Sequence, residues 1–185
     1  FPKQNSLLKG GKNELLPEKE FVAKILAANE AKKDKDFLVI ARVEALISEL
    51  GMDEAIKRAD AYEKAGADAI LIHSKRETPD EIFEFTDKWN GNLPIVAIPT
   101  TYDNVKISDL SKHKIKMAIY ANQTLRASHA SMLRLLKEMN GAERISDIKE
   151  TMSTMDEIFE LQEMYDIKDK EKDLEKELKK LGYIN

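Results

Sequence analysis

The chain has 185 residues, 42% of them hydrophobic and 35% charged, with a net charge of −4 and no cysteine. That length accommodates one domain with a sizeable core. The acidic balance argues against a nucleic-acid surface, no stretch has the apolar length of a membrane span, and the missing cysteines exclude disulfides and thiol catalysis and fit a cytoplasmic protein.

The chain opens at Phe1-Pro2-Lys3, and residues 1–16 include glycine, lysine, asparagine and serine. This segment reads as a loop. A helix is predicted over 18–28. Four short apolar runs follow, at 37–41, 69–72, 95–98 and 116–121. They are nearly unalternating, as strands covered on both faces of a parallel sheet are. Helical patterns separate them. Ala55, Ile56, Ala59, Tyr62 and Ala65 recur at helical spacing over 53–65. Thr78-Pro79 predicts a helix start, with Thr78 as N-cap, running to about Trp89. A shorter link spans 108–114. A long helix starts near Asn122 and is closed by Asn140-Gly141. From 146 to 181 there is no strand signal. Lys, Asp and Glu dominate the end of that tail, with Leu174, Leu178 and Leu181 at helical spacing. It reads either as a solvated, salt-bridged helix or as a helix packing on another subunit.

The alternation of helix and strand predicts α/β with a parallel sheet. Four strands are too few to close a (β/α)8 barrel but could be half of one. The polar ends of the first two runs stand out: Arg42-Val43-Glu44 after the first and His73-Ser74-Lys75 after the second, 31 positions apart. That is about one βαβ unit. Both ends then emerge at the sheet edge where α/β folds do chemistry. Arg42 offers a rigid fork to a carboxylate or phosphate, the alternative being a salt bridge to Glu44. His73 can donate to a substrate oxygen or move a proton, the alternative being a structural histidine. His113 and His129 read as structural. Lys3-Gln4-Asn5-Ser6 places donors in a loop able to close over an anion, the alternative being a solvated loop. No Walker loop, dinucleotide fingerprint, nucleophile elbow or zinc spacing is present. Asp34 and Asp36 precede a strand, the wrong end for a barrel active site.

Several blocks occur in one order: Phe1-Pro2-Lys3-Gln4-Asn5-Ser6, Ile40-Ala41-Arg42-Val43-Glu44-Ala45, the stretch from Gly66 to Lys75, Pro99-Thr100, Ala121-Asn122 with Leu125-Arg126-Ala127-Ser128, and a late Ile158-Phe159-Glu160-Leu161-Gln162. Together they resemble the phosphoenolpyruvate mutase family of the isocitrate lyase superfamily. The resemblance implies a (β/α)8 barrel that uses Mg²⁺ to interconvert phosphoenolpyruvate and phosphonopyruvate, forming the carbon–phosphorus bond of phosphonates. It also implies a homo-oligomer exchanging a helix between barrels, with a small-molecule substrate and neither nucleic acid nor membrane as partner. By the same resemblance Arg42 and His73 hold substrate, and Lys3, Asn5 and Ser6 belong to a gating loop, Asn5 and Ser6 holding the migrating phosphoryl group. Phosphonopyruvate hydrolases share the fold but lack the mutase-type asparagine, so Asn5 favours the mutase. The superfamily's lyases carry a catalytic cysteine, and none is present. The family's metal-binding aspartates and its Trp-x-Ser-Gly-Leu segment are absent and expected upstream of Phe1. The chain therefore reads as the later half of such an enzyme: loop and second half-barrel over 1–140, and a helical extension over 141–185. The segment alone is expected to be inactive, and a degenerate half-barrel used for assembly is the non-enzymatic alternative.

Overall fold

A computed structural model describes residues 14–148 and 152–184. The chain divides into two compact units, Phe1–Gln123 and Thr124–Asn185. The described part of the first runs α1 (Glu18–Ala31), β1 (Ile40–Val43), α2 (Met52–Lys64), β2 (Ala69–Ile72), α3 (Asp80–Lys88), β3 (Ile95–Ala97), α4 (Ile107–Lys112) and β4 (Ile115–Ala118). The strands form one sheet in the order β1-β2-β3-β4. Every pairing is parallel. This is the α/β architecture of half a (β/α)8 barrel, with all strand C-termini at one edge.

Each face of the sheet has its own packing. On one, Ala41, Val43, Ile70, Ile72, Ile95 and Ala97 meet Ala55, Ala59, Tyr62, Ile82, Phe85 and Trp89 of the helices. On the other, Ala69, Leu71, Val96 and Ile98 cluster with Ile119. Burial on both faces explains why these runs do not alternate. Side chains change face at every residue, so a residue's face follows from its register.

The helices form where apolar residues recur at 3.6-residue spacing. In α2, Ala55, Ala59 and Tyr62 are buried. Arg58 is buried among them because its Nε donates to Glu54 at 2.7 Å and its Nη1 to the Leu16 carbonyl at 3.0 Å. Gly66 ends that helix at φ +89°, and Asn29 Nδ2 donates to its carbonyl at 2.8 Å. A β-carbon there would stand 3.0 Å from the Asn29 amide. Trp89, which follows α3, donates from Nε1 to Asp60 at 2.8 Å and ties α3 to α2.

Several boundaries differ from expectation. β1 begins at Ile40, not Phe37, and reaches Val43. A turn at Asp34 holds Phe37, whose N–H donates to the Asp34 carbonyl, and β1 finds its partner only where β2 begins, at Ala69. Phe37 and Leu38 are left exposed. Arg42 is thus inside the strand and Glu44 is the first residue past it. β4 is displaced three residues towards the N-terminus at its end. Thr78 does not cap α3: its hydroxyl donates to Asp80 Oδ2, and Pro79 precedes the helix without a side-chain cap.

The second unit is helical. α5 (Gln123–Gly141) starts at the last residue of the first unit and ends at Gly141, where its close was expected. A 3-10 turn (Ile145–Asp147), α6 (Met155–Leu161) and α7 (Met164–Lys180) follow. Thr154 caps α6 in a reciprocal box with Glu157. Along α7, Lys172–Asp169, Lys176–Asp173 and Lys180–Glu177 form ion pairs three residues apart, the salt-bridged pattern its charges suggested. None of these helices buries a residue, and α5 exposes Leu125, Met132, Leu136 and Met139 along one stripe. Among the described residues, no helix is long and apolar enough to cross a membrane.

Candidate active site

Three side chains gather where β1 and β2 end. Arg42 pairs in register with Leu71, so it lies on the face of Leu71 and Val96, away from the helices. Glu44 and His73, each two residues beyond that pair, fall on the same face by strand alternation. Arg42 Nε donates to Glu44 Oε1 at 2.7 Å. The alternative considered for Arg42, a pair with Glu44, is therefore realised, and it sits at the candidate site rather than apart from it. Glu44 is buried, at 8% exposure, while the Arg42 side chain keeps 31%.

His73 is 2% exposed, and its Nδ1 has no hydrogen-bond partner. Burial lowers its pKa to about 4, assisted by the Arg42 charge and opposed by the Glu44 charge. The imidazole is accordingly neutral at pH 7, with one ring nitrogen to donate and one to accept. Its neighbour is firmly fixed. Ser74 Oγ donates to Glu81 at 2.5 Å and accepts from the Arg76 N–H at 3.0 Å. The Ser74 carbonyl accepts from Thr101 Oγ1 at 3.1 Å, which ties the segment after β2 to that after β3.

Thr100 and Asn122 extend the row. Thr100 Oγ1 and Asn122 Oδ1 are buried atoms without a hydrogen-bond partner. With His73 Nδ1 they place at least one unsatisfied polar atom after each of β2, β3 and β4, the Tyr102 hydroxyl being a second after β3. Such atoms cost stability unless a ligand meets them. Sequence reasoning used Thr100 and Asn122 only as family signature. The available signal was the one that marked Arg42 and His73, a polar residue directly after an apolar strand.

Other expected residues stand elsewhere. Lys3, Asn5 and Ser6 lie outside the described residues. His113 precedes β4, at the opposite sheet edge, where it stacks on Phe83 with ring centroids 3.8 Å apart. His129 is exposed on α5. A 620 Å³ depression lined by Glu18, Asp53, Lys57, Asp60, Lys64 and Lys88 is on the helical outside and holds none of the site residues. Among the described residues, no group of three His, Asp or Glu is placed to hold a metal ion, and the carboxylate nearest the site, Glu44, is engaged by Arg42. These residues do not by themselves form a metal site.

The sequence profile of the phosphoenolpyruvate phosphomutase family matches residues 3–140. The chain belongs to that family. It is 41% identical to the phosphoenolpyruvate phosphomutase of Tetrahymena pyriformis over 93% of its own length and 57% of the relative's. It is 44% identical to the phosphonopyruvate hydrolase of Variovorax sp. (strain Pal2) over 88% of its length and 56% of that relative's. Among solved structures, the phosphoenolpyruvate phosphomutase from Streptomyces platensis subsp. rosaceus superposes with a TM-score of 0.88 at 38% identity, over 93% of this chain and 60% of that one. A phosphonopyruvate hydrolase in complex with oxalate and Mg²⁺ superposes with a TM-score of 0.81 at 40% identity, over 91% of this chain and 57% of that one. The chain thus spans a little over half the length of these relatives. Their fold is the (β/α)8 barrel.

The His73 environment has a measurable consequence. The unfolded chain binds a proton there below about pH 6.5, the folded protein only below about pH 4. Between those values the unfolded state holds more protons, so stability falls as pH drops through the window and the loss levels off below it. The full loss is roughly 3 kcal/mol. Urea unfolding at pH 7 and pH 4.5 is expected to show His73→Gln losing less stability between the two than the parent chain. Equal losses would mean that His73 is not held neutral by burial.

Proposed function

We propose that this chain forms the second half of the barrel of a phosphoenolpyruvate mutase, an isomerase that interconverts phosphoenolpyruvate and phosphonopyruvate in phosphonate biosynthesis. The observation that carries the reading is the edge itself: a buried neutral His73 with an unpartnered Nδ1, beside Arg42 held by Glu44, in a chain of this family.

In this reaction the phosphoryl group leaves the enol oxygen and joins the methylene carbon. One O–P bond breaks, one C–P bond forms, and no net proton moves, so no general base is required. Loose phosphoryl transfer puts the burden on positioning and charge. Arg42 neutralises anionic oxygens of the substrate. His73, neutral at pH 7, donates one N–H to an oxygen without adding a second full charge. Asn5 and Ser6 hold the migrating group, and Lys3 adds a cation in the same loop. That loop has to exclude water, because water in place of the enolate carbon turns isomerisation into hydrolysis.

Mg²⁺ belongs to the proposal because the hydrolase relative was solved with Mg²⁺ and oxalate. The acids that would hold it are assigned to the part of the relatives that this chain does not span. The same reasoning assigns activity to the complete barrel. The apolar stripe of α5 supports a homo-oligomer in which helices of the second unit are exchanged between barrels. A complete-barrel protein that sediments only as a monomer contradicts this.

Phosphonopyruvate hydrolase is the second reading, favoured by the 44% identity to the Variovorax enzyme. Asn5 in the loop supports the mutase. The complete-barrel protein incubated with phosphonopyruvate and Mg²⁺ is expected to yield phosphoenolpyruvate by phosphorus NMR. Pyruvate with inorganic phosphate would establish the hydrolase instead. In the same assay Asn5→Ala is expected to slow isomerisation well beyond threefold. A rate within about threefold of the parent, under about 0.7 kcal/mol in the barrier, removes Asn5 from its role.

A further inference from the structure

We propose that Glu44 is a positioning residue for Arg42, fixing the guanidinium that receives the anionic ligand. This rests on the reading of Arg42 as the anion-holding group. The two side chains leave the strand on the same side, two residues apart. The bond between them, 2.7 Å from Nε to Oε1, engages the inner nitrogen of the guanidinium. Held there, the planar group is set in orientation as well as in place.

Glu44 is the anchored member of the pair. Its neighbours Val43 and Ala45 are fully buried. Its own carbonyl accepts the Ser48 N–H at 2.9 Å, which locks the turn that follows β1. Its side chain is 8% exposed, against 31% for that of Arg42. The acid is thus a fixed post and the arginine the partner it restrains. Burying a carboxylate this far costs desolvation that an apolar pair would not incur, so the arrangement is poorly explained as a device for stability alone. An arginine without such a post has to surrender the freedom of a long side chain when the anion arrives. The carboxylate also repels anions from the Nε side, leaving them to approach the guanidinium from elsewhere. Glu44 and Arg42 act in opposite senses on His73, so the acid also limits the positive charge that the imidazole meets.

The test is oxalate binding to the complete-barrel protein in Mg²⁺, followed by calorimetry. Oxalate is not turned over, so a parent that neither isomerises nor hydrolyses phosphonopyruvate would defeat the proposed reaction and leave this measurement readable. Glu44→Ala is expected to weaken oxalate at least about tenfold. Glu44→Gln, which keeps an acceptor for Nε, stays within about threefold of the parent. Glu44→Asp keeps the charge but withdraws it by one methylene, and weakens binding about fivefold or more. It serves if the alanine variant does not fold. In an Arg42→Ala background, Glu44→Ala adds less than about twofold, because the interaction it removes is already gone. The proposal is overturned if Glu44→Ala or Glu44→Asp binds oxalate within about twofold of the parent while only the melting temperature falls. It is equally overturned if Glu44→Gln is as weak as Glu44→Ala, or if the Glu44→Ala effect persists undiminished without Arg42.

Discussion

Pairing of Ile40 with Ala69 in the parallel sheet determines what stands at the strand ends. From that register Arg42 meets Leu71, and Glu44 and His73 follow on the same face. A one-residue slip of β1 against β2 would send Arg42 and Glu44 to the helical side, away from His73, into a layer already filled by Tyr62, Ile82 and Phe85. The register is held from both directions. Asp68 accepts the Val39 N–H at 2.7 Å and donates its own N–H to the Val39 carbonyl at 2.8 Å. Lys32, directly after α1, then closes on Asp68 at 2.8 Å. The chemistry at one edge of the sheet thus depends on a polar clasp at the other.

Burial then gives these side chains their properties. A histidine in water would be partly charged near neutral pH. At 2% exposure beside an arginine, His73 is neutral well below that. A cation restrained by a buried carboxylate and a neutral donor beside it suit a substrate whose charge has to be matched without being trapped. The unsatisfied atoms of Thr100 and Asn122 along the same edge fit a surface built to be completed by a ligand, at some cost to stability.

Much of this was legible in the sequence because the sheet is buried on both faces. Ala69–Ile72 reads as a strand from its apolar run alone, and its bounds in the structure are the expected ones. β1 was displaced because Phe37 and Leu38 look like strand residues but emerge from the Asp34 turn before any partner strand is in reach. Local composition contains no information about where the neighbour begins. Arg42 and His73 were legible from their position after apolar runs. Thr100 and Asn122 carried the same signal faintly, but an orphaned atom exists only once neighbours are in place. Glu44 was legible solely as a competitor for Arg42. Its burial, which sequence does not disclose, is the observation behind the positioning role proposed for it. The family blocks added what periodicity could not, the proposed substrate class and the roles proposed for Lys3, Asn5 and Ser6.

The account stands most directly on His73 being a neutral, ligand-facing imidazole. Nitrogen-15 NMR of its ring in the complete-barrel protein at pH 7, with and without oxalate and Mg²⁺, measures this. The account predicts the signature of a neutral imidazole in the free protein and a displaced Nδ1 resonance when the ligand binds. A doubly protonated ring at pH 7, or ring resonances unmoved by a ligand shown to be bound, would contradict it.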